Sequence, residues 1–337
     1  MSIKKMLLLR RVLTIACCVI CFKAQAQYVP NNAQVFQFAP ILNPAFSGIE
    51  NFSDLKLSYR YQWTGFGDNS PKFINVSYNT RLKQPVDLSY NSLRLSNPSL
   101  MRVPRLKRSI HGLSGQIFQS TIGVINTIGG GVTYGFHYPL TTALHLSFGA
   151  GAIIESRKLD MSEITVRDPD NDTYYNHLLN SSTSQTDLNV RAGFLLYSKT
   201  FYIGATYLPL VHTSIESSEL SFEEAFYTGA LQAGVAFQLN PNLALKPSVN
   251  LFYLLDESIA WEAQTKAYIQ EIAWAGIGYR SFQSGMTMIG FNFTEKFSAA
   301  YTYEFSMSRF QQFAGSSHEI ILGMRLNNFK KENQYTW

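Results

Sequence analysis

Few residues of this 337-residue chain have the types and spacing that catalysis requires. His111-Gly112-Leu113-Ser114-Gly115 places a histidine near a serine, and nucleophilic catalysis needs such a base beside its nucleophile. The stretch lacks the Gly-x-Ser-x-Gly spacing of an esterase nucleophile elbow, and it is predicted to be a turn into a strand. We therefore expect no catalysis there.

Two further groups resemble metal sites only in part. Asp168, Asp170 and Asp172 have the i, i+2, i+4 spacing of a calcium loop, but the glycine of the sharp turn and the glutamate at position twelve are absent. A solvated loop is expected instead. His137 and His145 fall on predicted inward strand faces, where we expect them to hydrogen-bond. The sequence predicts no enzyme activity, no cofactor and no metal.

Many of the charged residues lie in segments where apolar and polar residues alternate. Alternation with a period of two is typical of a strand whose two faces differ. In residues 55–63, one face carries Leu55, Leu57, Tyr59, Tyr61 and Trp63, and the other carries Lys56, Ser58, Arg60 and Gln62.

Charges of both signs lie on the polar faces of these segments, which indicates a paired network rather than an ion channel of one sign. They are Lys56, Arg60, Asp187, Arg191, Lys246, Glu262, Lys266, Glu304, Glu319 and Arg325.

The first 26 residues have the pattern of a cleaved secretory signal peptide. A basic start precedes a short apolar run, and Ala24-Gln25-Ala26 fits the cleavage site. This peptide contains five of the 28 basic residues and all three cysteines, so 23 basic residues remain against 23 acidic ones. The exported chain is therefore predicted to be near neutral and to contain no disulfide. It lacks the excess of basic residues that attracts nucleic acid.

About fourteen strands are predicted, with short and long connections alternating between them. This is the arrangement of an outer-membrane β-barrel. They lie near residues 53–63, 73–82, 111–120, 128–138, 143–155, 186–197, 201–207, 228–239, 243–254, 259–269, 273–280, 285–293, 297–307 and 318–326.

A soluble β-sandwich also has alternating strands, but its polar face meets water and should be rich in Lys, Glu and Asp. Here the polar faces are mostly Ser, Thr, Asn, Gln and Gly, as in a barrel lumen. The sequence therefore predicts an all-β fold, a closed antiparallel transmembrane barrel of 12–14 strands in which Tyr59, Tyr61 and Trp63 face lipid and Arg60 and Gln62 face the lumen.

The domain organisation follows from these elements. Residues 1–26 are the signal peptide, 27–51 an N-terminal cap or plug, 52–327 the outer-membrane barrel and 328–337 a C-terminal tail. Apolar Phe36, Phe38, Ile41 and Leu42 must be buried, and the lumen is close to them.

The start of the exported chain resembles the PorP/SprF family of outer-membrane proteins, which belong to the type IX secretion and gliding machinery of Bacteroidota. Further segments of similar pattern extend the resemblance over nearly the whole chain. The matching residues are Asn43, Pro44, Ala45, Phe46, Ser47 and Gly48, then Arg60, Gln62, Trp63, Gly65 and Gly67. The Asn-Pro-Ala turn could either set the register of the first strand or contact a partner directly.

The resemblance implies a non-enzymatic multi-pass protein of the cell outer membrane. Its partners would be outer-membrane lipid, periplasmic type IX secretion components and a secreted protein or adhesin with a C-terminal sorting domain. The alternative is an outer-membrane transport channel for small or hydrophobic solutes, which would conduct in planar bilayers.

A basic stretch lies between the second and third predicted strands. Arg94, Arg102, Arg105, Lys107 and Arg108 are opposed there only by Asp87. A solvated connection is one interpretation. The other is a surface for an acidic periplasmic protein, since charge of one sign raises association rates and orients docking.

Overall fold

The computed structural model describes residues 32–82, 109–168, 171–180, 183–216, 227–254, 258–270, 272–281, 284–307 and 311–327. The predicted signal peptide, the C-terminal tail and Arg94, Arg102, Arg105, Lys107 and Arg108 lie outside these ranges.

The described residues form fifteen strands in one sheet. They are β1 (Ser53–Tyr61), β2 (Lys72–Leu82), β3 (Ile110–Ile122), β4 (Ile125–Pro139), β5 (His145–Leu159), β6 (Ser184–Tyr197), β7 (Phe201–Glu216), β8 (Tyr227–Val235), β9 (Phe237–Asn240), β10 (Leu243–Leu254), β11 (Ile259–Ile269), β12 (Ala273–Arg280), β13 (Ser284–Asn292), β14 (Phe297–Ser306) and β15 (Ser316–Leu326).

Helices are short and lie outside the sheet. They are α1 (Ala39–Leu42), α2 (Thr173–Asn180) and α3 (Gln311–Ala314), with 3-10 turns at Val35–Phe38, Pro44–Phe46, Thr64–Asn69 and Met161–Glu163. Within the ranges given above, no helix is long and apolar enough to cross a membrane.

The sheet closes on itself as an antiparallel barrel. β1 pairs with β15, and β10 pairs with β11, so neither end of the strand order is left as a free edge. β8 and β9 are separated only by Ala236 and both pair with β10, so they count as one interrupted strand of a fourteen-strand barrel. Pro247 of β10 lies opposite the interruption and has no N–H to donate there. The predicted fold class is confirmed.

Burial along β1 shows which face is inside. Ser58 and Arg60 are buried, whereas Leu57 and Tyr59 are each 43% exposed on the outer wall. The apolar side chains therefore face the surroundings and the polar ones the lumen, as predicted. β1 ends at Tyr61, two residues earlier than expected, because Trp63 adopts a positive φ of 52° and begins the connection to β2.

The barrel has two distinct ends. β1 begins and β15 ends at the same end, which we call proximal; the opposite end is distal. The proximal turns at 140–144, 198–200, 241–242, 270–272 and 293–296 are short. The connections at 160–183, 217–226 and 307–315 are longer and distal, and the connection at 83–108 is proximal.

Four buried charges form a network across the distal part of the lumen. Arg280 of β12 donates to Glu262 at 2.8 and 3.0 Å and to Glu304 at 2.9 Å, and Arg60 donates to the other oxygen of Glu304 at 2.7 Å. Ser284 also donates to Glu304, at 2.5 Å. Buried charges are tolerated when they are paired and hydrogen-bonded in this way. The network therefore ties together β1, β11, β12 and β14.

Replacing Glu304 with Gln should destabilise the barrel, because Arg60 and Arg280 would remain buried with one carboxylate fewer between them. We expect a loss of about 3–5 kcal/mol in the free energy of unfolding. Urea unfolding in detergent micelles, followed by tryptophan fluorescence, measures it. Glu163→Gln in the exposed distal connection is the matched control, and equal unfolding midpoints for the two variants would contradict the prediction.

Candidate functional site

Residues 32–52, which we call the N-terminal segment, lie inside the barrel. Each of the three apolar clusters in the described chain combines side chains of this segment with side chains of the barrel wall. Phe46 packs with Leu195 and Tyr202, Leu42 with Phe252, and Phe38 with residues of β12 to β15. The segment thus fills the lumen from the proximal end as far as Leu254 and Glu319, which lie towards the distal ends of their strands.

The sequence Asn43-Pro44-Ala45-Phe46 determines the local shape of the segment. Asn43 caps the 3-10 turn, since its Oδ1 accepts from the backbone N–H of Ala45 at 3.0 Å, and Pro44 occupies the first position, where no N–H is needed. Gly48 then takes a φ of +72°, which favours glycine. The turn is therefore set by local sequence before it meets the wall.

The Asn43 carboxamide also binds the wall directly. Its Nδ2 lies 3.1 Å from the Phe194 carbonyl, 3.3 Å from the Ala205 carbonyl and 3.0 Å from Oε1 of Gln232. These partners lie on β6, β7 and β8. One fully buried amide therefore caps its own turn and binds three strands.

Other wall residues bind the backbone of the turn. Ser147 donates to the Ala45 carbonyl at 2.8 Å, and His137 Nε2 donates to the Ser47 carbonyl at 2.7 Å. The Tyr197 hydroxyl lies 2.9 Å from Nδ1 of His137 and holds the ring in that tautomer. His137 is thus a hydrogen-bonding lumen residue, as expected from the sequence. His145 stacks on Tyr197, with ring centroids 5.1 Å apart.

The turn lies on a row of four glycines that we call the glycine row: Gly112, Gly135, Gly149 and Gly193. They are direct cross-strand neighbours on β3, β4, β5 and β6. A Cβ would lie 1.9 Å from the Ser47 carbonyl oxygen at Gly112 and 2.6 Å from it at Gly135.

The clashes would be equally severe further along the row. A Cβ would lie 2.2 Å from the Ala45 nitrogen at Gly149 and 1.9 Å from Asn43 Oδ1 at Gly193. Any side chain larger than hydrogen would displace the turn, so the row acts as its binding groove.

Several lumen charges bind the backbone of the segment. Lys56 donates to the Gln37 carbonyl at 2.7 Å and Arg191 donates to the Ile41 carbonyl. Glu319 accepts from the Gln34 backbone N–H at 2.9 Å. The sequence predicted a network of paired charges, and part of that set has backbone partners.

The residues whose types suggested catalysis or metal binding lie apart in the structure. His111 lies on the outer wall against the Tyr134 hydroxyl, while Ser114 is buried on the lumen side. Asp172 accepts from the Tyr175 N–H at the start of α2, and Asp168 accepts from Asn171. Among the residues that the structure describes, no three His, Cys, Asp or Glu side chains are grouped as a metal site.

The remaining predicted site residues have different environments. Arg60 belongs to the ion network, Gln62 is buried just after β1, and Trp63 packs on Phe66 with centroids 6.3 Å apart. Asn43, Pro44, Ala45 and Phe46 are fully or almost fully buried against the wall.

Two arginines have structural roles that the sequence did not predict. Arg280 is the central residue of the ion network, and Arg81 donates to the carbonyls of Gly48 and Ile49. Both lie at predicted strand ends, where alternation no longer indicates which way a side chain points.

Comparisons with known proteins bear on the family and the fold. Residues 24–324 match the family described as "Type IX secretion system membrane protein PorP/SprF". No curated protein sequence matches the chain significantly.

Among solved structures, the chain is similar to the Ralstonia pickettii toluene transporter TbuX, with 10% identity over 86% of this chain and 92% of that one and a TM-score of 0.48. It is also similar to a Pseudomonas aeruginosa FadL homologue (10% identity, 88% and 94%, TM-score 0.44) and to Acinetobacter baumannii Omp33 (10%, 83% and 99%, TM-score 0.43).

Gly193→Val should expel the turn, because its side chain would occupy the position of the Asn43 amide. In a Ser47→Cys background the cysteine should change from unreactive to maleimide-reactive, and single-barrel conductance in planar bilayers should rise above that of the parent. Gly115→Val is the matched control, since a Cβ there has nothing closer than 3.8 Å. Equal labelling of both variants would show that the groove does not retain the segment.

Proposed function

We propose, since the chain belongs to the PorP/SprF family of type IX secretion system membrane proteins, that it is a non-enzymatic outer-membrane component of the type IX secretion and gliding machinery. In this role it engages a secreted protein or adhesin through its C-terminal sorting domain, together with the periplasmic trans-envelope complex.

The occupied lumen is the observation that favours this role over the transport alternative. The N-terminal segment fills much of the lumen, and the paired charges Arg60, Glu262, Arg280 and Glu304 cross its distal part. A solute would have to displace buried apolar contacts and paired buried charges, and both displacements are costly. This arrangement suits a protein that presents surfaces to partners.

We propose that the proximal end faces the periplasm. Outer-membrane barrels have short periplasmic turns and longer extracellular loops, and the proximal end has most of the short turns. Both ends of the barrel sequence lie there as well. The distal connections at 160–183, 217–226 and 307–315 would then be outside the cell.

Single cysteines test this orientation, because the exported part of the chain contains none. Cysteine at Asn171, in a distal connection, should react with a membrane-impermeant maleimide on intact cells, and so should cysteine at Ser217 and Ser316. Cysteine at Asn242, in a proximal turn, is the matched control and should react only after lysis. Labelling of Asn242 alone on intact cells would invert the orientation.

The basic stretch at 83–108 would lie at the periplasmic end. The strands that flank it, β2 and β3, end and begin there, so the stretch connects at the proximal end. We propose that Arg102, Arg105, Lys107 and Arg108 attract an acidic periplasmic component. Charge of one sign orients such an encounter and makes it dependent on ionic strength.

Replacing Arg102, Arg105, Lys107 and Arg108 with Gln should reduce co-purification of periplasmic components at low salt. Raising the salt concentration should bring the wild type down towards the variant, because exposed charges are screened. Lys158→Gln/Arg167→Gln, which removes exposed basic charge from the distal end, is the control and should co-purify as the wild type does. Wild-type recovery and secretion with the quadruple variant would refute a docking role for the stretch.

A further inference from the structure

A cavity opens at the proximal end beside the N-terminal segment. Its volume is about 100 Å³. The segment provides one wall, through residues such as Pro40 and Ile49, and the lumen faces of β11 to β15, β1 and β2 provide the other. The segment therefore leaves part of the proximal opening of the barrel unfilled, and this unfilled space is a pocket closed at its inner end.

The rim of the cavity is polar. Asn79, Asp54 and Arg325 are cross-strand neighbours on β2, β1 and β15, and Arg325 donates to the side chain of Asn292 at 3.2 Å. Carboxamides, a carboxylate and a guanidinium together offer hydrogen-bond donors and acceptors side by side. Peptide groups carry the complementary pair, one N–H and one C=O each.

Below the rim, small side chains lie beside one charged side chain, Lys56, and the floor is apolar. Ser298 and Gly323 are cross-strand neighbours and leave space at that level. Lys56, the neighbour of Gly323 on β1, also lies at this level, where its ammonium group binds Asp54 and the Gln37 carbonyl. The floor is formed by Ala300, Trp274 and Phe36. The rings of Trp274 and Phe36 meet edge to face, with centroids 5.6 Å apart.

Size and chemistry together restrict the occupant. Pockets for drug-sized ligands measure about 300–1,000 Å³, so this cavity is too small for such a molecule. It is suited to one bulky apolar side chain, and a single side chain in a desolvated pocket with a polar rim is the usual form of an interface hot spot.

We propose that this cavity binds one large apolar side chain, such as Leu or Phe, from an extended segment of a periplasmic protein whose backbone hydrogen-bonds to the rim. The proposal rests on the proposed function, which places the proximal end in the periplasm. The N-terminal segment then has two roles, as the filling of the lumen and as one wall of a protein-binding site.

Capped amino acids provide a direct test. The probes are N-acetyl-leucinamide, N-acetyl-phenylalaninamide and N-acetyl-aspartamide, measured by saturation-transfer NMR on the full exported chain in lipid nanodiscs. The leucine and phenylalanine probes should bind and the aspartate probe should not. Ser298→Trp fills the cavity and should weaken binding by roughly tenfold or more. Thr142→Trp, in an exposed proximal turn, is the matched control and should bind as the wild type does.

Several results would overturn the proposal. Absence of binding to the wild type, equal binding to the Ser298→Trp variant, or equal binding of heptane would each do so, the last because a hydrocarbon site needs no polar rim. If the Ser298→Trp variant does not fold, the milder Ser298→Leu variant replaces it. Folding is judged on cold gels, where a closed barrel changes its migration after heating.

Co-purification separates this proposal from the proposed function. If Ser298→Trp loses the leucine probe but still recovers periplasmic components at wild-type levels, the cavity is not their docking site, while the proposed function stands. If the wild type recovers no such components, the proposed function fails, and binding of the probes still decides whether the cavity accepts an apolar side chain.

Discussion

The close approach of a turn to a barrel wall is the contact on which the rest of this structure depends. Strands normally keep other backbone at a distance because every inward residue carries a side chain. Here the glycine row removes that spacing over four adjacent strands, so the Asn43–Gly48 turn touches their backbone. The apolar clusters around Leu42, Phe46 and Phe38 are then positioned by the turn, and the lumen is filled without long side chains from the wall.

The charges of the lumen follow from the same arrangement. A buried charge must be paired or hydrogen-bonded, and both solutions occur in this lumen. Towards the distal end, Arg60, Arg280, Glu262 and Glu304 bind one another. Beside the segment, Lys56, Arg191 and Glu319 bind backbone groups that the segment brings to them. Removal of the segment would thus take hydrogen bonds from charged side chains as well as contacts from apolar surface.

Much of the barrel could be predicted from the sequence because alternation reports directly on a strand with two different faces. The strands and the inward position of Arg60 follow from it, whereas the cap or plug was predicted because Phe36, Phe38, Ile41 and Leu42 are apolar and must be buried. The role of the strand glycines as one groove requires the cross-strand register of Gly112, Gly135, Gly149 and Gly193, which a single sequence does not contain. The same limit applies to Arg280, whose partners lie on other strands, and to Pro247, whose position next to the interruption at Ala236 appears only in the strand pairing.

The position of the N-terminal segment has a consequence for the order in which the chain assembles. Gln34 is bonded to Glu319, which is 285 residues later in the chain, and the last strand pairs with the first. The contacts of the segment are therefore complete only when the final hairpin is in place. Contacts so distant in sequence are slow to form. Closure of the barrel and the final seating of the segment are therefore coupled, because the strand that closes the wall also carries partners of the segment.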